Sequence, residues 1–242
     1  MTKLSVNVNK FALLRNSRDT DHPNLETMAR RAIGAGAQGI TVHPRPDQRH
    51  IRYSDVPVLS KLTGQHEDVE FNIEGNPIPE FCSIVGDIRP DQATLVPDDP
   101  GQLTSDHGWN LEKEGERLTP IIQELQGKGV RVSLFMDPDP AQIDRVEDVG
   151  ADRIELYTEP YARAFGTDSE DEVWNRFREA ADHAREIGLG VNAGHDLNLD
   201  NLSRFLEIQD ILEVSIGHAI VVESFDFGFE ETLGRYLAII GQ

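Results

Sequence analysis

The sequence predicts an α/β protein, a single-domain (β/α)8 barrel of the TIM type, on three observations. Eight short apolar strands alternate with helical segments along 242 residues. That length is typical of the barrel, and the polar residues cluster where strands end. No Ser/Pro/Gly-rich linker divides the chain, so one domain over residues 1–242 is expected. Strict strand–helix alternation calls for parallel pairing, and eight such units close most naturally on themselves; a doubly wound open sheet is the alternative.

Leu4 to Val8 alternates as a first strand and delivers Asn7, Asn9 and Lys10 to one rim, after which residues 11–18 read as a polar-terminated loop. Pro23-Asn24 opens a helix that ends in the small residues around Gly34 and Gly36. The second strand, Gly39 to Val42, stops at the segment His43 to His50, crowded with histidines and arginines. Tyr53 to Leu62 reads as a helix, and Val69 to Ile73 as the third strand, followed at once by Glu74 and Gly75. A helix over Ile78 to Val85 leads to the fourth strand, Gln92 to Val96, and then to a polar loop from Pro97 to Gly108 that contains Thr104. Loops of that length often carry function.

Leu111 to Lys128 is helical by its apolar spacing, Val130 to Phe135 is the fifth strand, and Ala141 to Val149 a further helix. In the sixth strand, Arg153 to Tyr157, Glu155 stands between Ile154 and Leu156. If those two meet the helices, its carboxylate faces the barrel interior. A long amphipathic helix over Asp171 to Ile187 precedes the seventh strand, Leu189 to Asn192. Asn201 to Leu206 is helical, Glu213 to Ile216 is the eighth strand, and Phe227 to Ile240 closes the chain.

Composition removes several classes of function. With 43 acidic against 23 basic residues the formal charge is −20, which disfavours a nucleic-acid backbone or an anionic membrane as partner but leaves a small anionic ligand open. Cys82 is the only cysteine, so intrachain disulfides and cysteine zinc sites are out. The N-terminus lacks the apolar core of a secretion signal, and no run approaches the roughly 18 apolar residues of a membrane span. A soluble cytoplasmic protein is expected.

Asn7, His43, Glu74, Glu155, Asn192, His195 and His218 lie in or just beyond strand carboxyl ends, which in a barrel converge on one face. His43 and Glu74, on adjacent strands, suit acid–base work with pKa values separated by environment, and His195 on the seventh strand can protonate a leaving group. Two strand–Gly–His turns, Gly194-His195 and Gly217-His218, follow the seventh and eighth strands, where barrels bind phosphate on backbone N–H groups. Arg18, Arg45 and Arg49 sit in loops of the same rim and suit bidentate anion contacts. Metal binding is the competing use of His43, His50, His195 and His218, but no HExxH-type spacing accompanies them. Neither a metal nor a cofactor is expected.

In order along the chain, Val6-Asn7-Val8, Leu14-Arg15-Asn16-Ser17-Arg18, Gly39 to His43, Arg49-His50-Ile51, Asn72-Ile73-Glu74, Leu95-Val96-Pro97, Val132 to Phe135, Val191 to His195 and Ile216 to Ile220 resemble the pyridoxine 5′-phosphate synthase family of vitamin B6 biosynthesis. The resemblance covers nearly the whole chain and implies metal-free condensation of 1-deoxy-D-xylulose 5-phosphate with 3-amino-2-oxopropyl phosphate. It implies His43 and Glu74 as proton acceptors, His195 as proton donor and Glu155 as the carboxylate that stabilises the transition state. It further implies Asn7, Arg18, Gly217 and His218 around the aminoketone phosphate and Arg45, His50 and Thr104 around deoxyxylulose phosphate, with a large homo-oligomer, an octamer in the family.

The chain departs from the family's pattern in places. Asn9-Lys10 replaces a usual Asp-His pair, Asp196 replaces a glycine beside Gly194 and His195, Tyr157-Thr158-Glu159 replaces His-Thr-Gly, and Val222-Glu223 replaces a small residue and Arg. Asn9, Lys10, Gly194 and Asp196 are therefore also expected at the substrate. Two other readings fit these residues: a barrel enzyme acting on another phosphorylated carbonyl compound, and a catalytically silent relative that binds phosphorylated ligands.

Overall fold

A computed structural model describes residues 1–98, 101–102 and 104–241. Its eight strands are β1 (Lys3–Asn7), β2 (Gly39–Val42), β3 (Glu70–Gly75), β4 (Gln92–Leu95), β5 (Arg131–Met136), β6 (Arg153–Tyr157), β7 (Gly190–Gly194) and β8 (Ile211–Ile216). They pair in sequence order, all parallel, and β8 returns to β1 with Leu4 opposite Val214 and Val6 opposite Ile216. That last ladder closes the expected barrel and excludes the open sheet, which would leave both strands as edges.

Around the barrel run α1 (Asn9–Asn16), α2 (Leu25–Gly34), α3 (Asp55–Thr63), α4 (Pro79–Ile88), α5 (Leu111–Gly127), α6 (Pro140–Val149), α7 (Glu159–Ala164), α8 (Glu170–Glu186), α9 (Leu202–Phe205), α10 (His218–Phe227) and α11 (Phe229–Ile240). Three of these correct the sequence reading. The segment expected as a loop over residues 11–18 is mostly helix α1, because Phe11, Ala12 and Arg15 fall on one helical face and are buried there. Helices α7 and α10 were not foreseen: α7 is short, and of the ten residues of α10 only Ile220 is fully buried, so neither has a strong apolar stripe. In the loop after β4, residues 99, 100 and 103 lie outside the described residues. No helix among the described residues is long and apolar enough to cross a membrane.

Most strand positions alternate between an apolar residue that meets the helices and a polar one that turns inward, with apolar Phe135 of β5 an inward exception at the cavity. Leu4, Val6, Ile40, Val42, Phe71, Ile73, Ala93 and Leu95 join the apolar layer between strands and helices. The inward set, Ser5, Thr41, Asn72, Gln92, Thr94, Ser133, Asn192 and Ser215, is buried and polar. Ser5 and Thr41 share a hydrogen bond of 2.7 Å, Thr94 Oγ1 donates to Asn72 Oδ1 at 3.1 Å, and Asn192 Nδ2 donates across the barrel to Gln92 Oε1 at 3.3 Å. Many barrels fill this space with Val, Ile and Leu. Here hydrogen bonds offset much of the cost of burying polar groups, Ser133 Oγ being buried without a partner among the described residues, and the polar interior continues up to the carboxyl-end rim.

Candidate active site

The inward positions at the tops of the strands open into one cavity of about 490 Å³, within the range of small-molecule sites. Asn7, Asn9, Lys10, His43, Arg45, His50, Glu74, Thr104, Glu155, His195, Asp196, Gly217 and His218, all expected at the site, line it. Gly194 sits just beneath: a Cβ there would fall 2.3 Å from Glu155 Oε1, so only glycine leaves room for that carboxyl. Arg18 is the exception. It is exposed, just past the C-terminal end of α1, and is not among the lining residues, although Asn16 at that end reaches the His50 carbonyl of the rim loop.

Glu74 and Glu155 give the cavity its acid–base character. Burial pushes the Glu74 carboxyl well above the usual carboxylate range, and the nearby charges of Glu155, Asp98 and Glu213 push it further, against an Asn7 Nδ2 hydrogen bond of 3.4 Å. Burial, followed by the charge of Glu213, raises Glu155 to about 8. Glu155 Oε2 is buried without a protein partner, which leaves it available to a ligand. The imidazoles move the opposite way. Burial, then His50 and the guanidinium groups of Arg45 and Arg49, hold His43 well below its ordinary value, and burial with Arg45, Lys10 and Arg49 brings His50 to about 4. At neutral pH both rings are therefore neutral.

Several contacts that fix these groups were not foreseen. Asn9 Oδ1 accepts the His43 backbone N–H at 2.9 Å, so the first residue of α1 holds the end of β2. Buried Arg15 donates to both carboxylate oxygens of Asp55 (2.8 and 2.9 Å), and Asn16 Nδ2 donates to the His50 carbonyl at 2.7 Å. Together they anchor the His43–His50 loop. Asp98, just past β4, accepts from Arg45 Nη1 and from Ser105 Oγ, each at 2.9 Å, and joins that loop to the one carrying Thr104. Thr104 Oγ1 lies 3.2 Å from His195 Nε2, and the Tyr157 ring packs edge-on against His195 with centroids 5.2 Å apart.

Helix α10 starts at the cavity: Gly217 is its N-cap, with no side-chain capping bond, and His218 its first residue. The amides of its first turn and the positive end of its dipole make that rim favourable for an anion. Lys10, in the first turn of α1, lines the same cavity and has no ion pair among the described residues.

The model of the pyridoxal phosphate biosynthesis protein PdxJ family matches residues 4–242. The chain belongs to the PdxJ family. A pyridoxine 5′-phosphate synthase of Albidiferax ferrireducens is 50% identical across 100% of this chain and 98% of its own length. One of Xanthomonas campestris pv. campestris is 53% identical (99% of this chain, 96% of that protein), and one of Mesorhizobium japonicum 48% (99% and 98%). Solved structures share the fold at far lower identity. A phosphoribosyl anthranilate isomerase from Thermus thermophilus aligns with a TM-score of 0.62 at 13% identity, covering 99% of this chain and 98% of its own. KGPDC from Streptococcus mutans aligns at 0.67 and 12%, covering 100% and 98%. Membership in the PdxJ family accounts for the whole barrel from β1 to α11.

Proposed function

We propose that this protein is a pyridoxine 5′-phosphate synthase that condenses 1-deoxy-D-xylulose 5-phosphate with 3-amino-2-oxopropyl phosphate, closing the pyridine ring and releasing phosphate and water. The observation that carries the reading is the gathering of His43, Glu74, Glu155 and His195 on one cavity, in a chain that matches its PdxJ relatives from end to end. Carbonyl condensations and eliminations need several proton-transfer groups.

Neutral His43 is suited to take a proton. The raised pKa values of Glu74 and Glu155 make each carboxyl a strong base once ionised, and the ammonium of the aminoketone would favour that ionisation. A protonated Glu155 can donate a hydrogen bond to developing negative charge, and His195 supplies a proton to the departing group. The N-terminus of α10 with Gly217 and His218 suits one phosphate; Arg45, His50 and Lys10 suit the second. Side chains and the backbone N–H groups at the start of α10 supply the groups needed, so we assign no metal or cofactor to the reaction.

We place the enzyme in the cytoplasm and expect a homo-oligomer. Leu13 and Leu14 of α1 and Val222, Phe225 and Phe227 of the adjoining α10 are exposed, with Phe225 at 79%, and Leu13 also lines the cavity. A second copy of the chain would cover them. The deciding experiment incubates the protein, after exhaustive chelation, with both substrates and follows pyridoxine 5′-phosphate and inorganic phosphate together. Equal release of both supports the reading; no pyridine product with either metal-free or metal-supplemented protein would sink it.

A further inference from the structure

The turn that ends β7 holds two consecutive non-glycine residues in left-handed backbone, His195 at φ 91° and Asp196 at φ 60°. Such conformations cost on the order of 1–3 kcal/mol each and persist where the surroundings enforce them. Two neighbours do so. Thr158, fully buried at the end of β6, donates its backbone N–H (2.9 Å) and its hydroxyl (2.7 Å) towards the Gly194 carbonyl, and the hydroxyl also reaches the His195 carbonyl. Asn201 Nδ2 donates to the Asp196 carbonyl at 3.1 Å. The strained turn brings Asp196 Oδ2 to 3.0 Å from His195 Nδ1, while Nε2 lies beside Thr104 in the cavity wall.

We propose that Asp196 is the positioning carboxylate of His195: it fixes the proton on Nδ1, aims Nε2 into the cavity and stabilises the imidazolium from which His195 donates. The proposal rests on His195 as proton donor in the function given above. A carboxylate on one ring nitrogen leaves the far nitrogen as the exchanging one and favours the charged ring. The surroundings keep Asp196 ionised. Its bond to His195, together with the charges of His195, His218 on α10 and Lys10 on α1, holds its carboxyl below the usual range. Facing the pair from other elements are Tyr157 at the end of β6, whose hydroxyl sits near Glu159, Asp106 and Asp137, and Thr104 from the loop after β4. Asp196 is the acidic group that touches the ring.

Asparagine and glycine both tolerate left-handed backbone, so Asp196→Asn and Asp196→Gly remove the charge and keep the turn. The test titrates isotopically labelled histidine rings by NMR in the full-length protein, with His195→Gln to assign the signal. In both variants the His195 midpoint is expected to fall by about one pH unit, the scale of losing a neighbouring opposite charge. The high-pH limit of turnover should fall with it, with KM for both substrates within about twofold. An unmoved midpoint overturns the proposal, as does a rise in KM with an unmoved pH limit, which would make Asp196 a ligand contact. The NMR midpoint needs no turnover. If the unaltered protein forms no pyridoxine 5′-phosphate, the proposed reaction fails, and the midpoint still decides whether Asp196 governs His195.

Discussion

Thr158 and Gly194 join the ends of β6 and β7 through both the backbone and the side chain of the threonine, with the hydroxyl 2.7 Å from the glycine carbonyl. Because that contact restrains the turn bearing His195, Thr158→Val, which keeps the shape and deletes the hydroxyl, is expected to cost about 1–2 kcal/mol of stability. It should also lower kcat at least tenfold, with little change in KM. Thr158→Ser should retain most of both. Denaturant unfolding and steady-state kinetics check this, and a valine variant with normal kcat would show that the turn needs no such restraint.

Asp98 and Arg45 form an ion pair in which both side chains are almost wholly buried (3% and 4% exposed). Removing one partner breaks a buried ion pair, at a cost of up to about 3–5 kcal/mol, softened for Arg45 by its bond to the Gln102 carbonyl, whereas replacing both by apolar groups is often far milder. Asp98→Ala should therefore destabilise strongly and loosen the loop over residues 104–108, seen as faster proteolysis there. The double variant Asp98→Met with Arg45→Met should be more stable than Asp98→Ala alone and still inactive, since Arg45 also lines the cavity. A wild-type melting temperature in Asp98→Ala would refute the latch.

The buried carboxyls set a pH dependence of stability. Glu155 at about 8 and Glu213 at about 7 both titrate above their unfolded value of 4.5. The unfolded chain releases those protons first, so stability from this source is full at low pH and is lost as pH rises through the folded values. His50, lowered to about 4, acts oppositely, contributing above 6.5 and losing its contribution as pH falls. The two effects overlap below 6.5, so the clean window is pH 6.5 to about 8. Unfolding free energy should fall across that window, and Glu155→Gln should flatten the decline. Chemical denaturation at half-unit pH steps measures it; a slope unchanged by the substitution would count against a raised Glu155.

The barrel was legible because most strands write their geometry as alternation: Leu4-Ser5-Val6-Asn7 and Ile40-Thr41-Val42-His43 each place the apolar residue against helices and the polar one inside. The same alternation brought Glu155 to the interior. Helix α1 was hidden because its exposed face carries Leu13 and Leu14, which blur the stripe that Phe11, Ala12 and Arg15 form. Asp98 and Thr158 could not be read as site supports, since their partners lie 53 and 36 positions away and only barrel closure brings them together. Arg18, expected at the rim from its loop position and from the family resemblance, follows the end of α1 and is not among the residues that line the cavity.

Asn9 and Lys10 are adjacent in sequence, yet the structure gives them separate tasks. Asn9 Oδ1 accepts the His43 N–H at 2.9 Å, a bond that a carboxylate oxygen can accept equally well. Asn9→Asp should therefore keep the end of β2 in place and leave kcat and KM within about threefold, while Asn9→Ala, which removes the acceptor, should lower kcat. Lys10 faces the cavity, and its charge already reaches His50 and Asp196. For an enzyme whose substrates both carry phosphate, Lys10→Met should raise KM for one of them about tenfold, a loss of ~1.4 kcal/mol that is within the range of a charged hydrogen bond. It should also weaken the dependence of kcat/KM on ionic strength, since a fixed cation near the mouth attracts anions through a screened field. Steady-state kinetics at low and high salt separates the two residues. If Asn9→Asp alone changes KM while Lys10→Met leaves both KM and salt dependence untouched, Asn9 is the substrate contact and Lys10 is a bystander on α1.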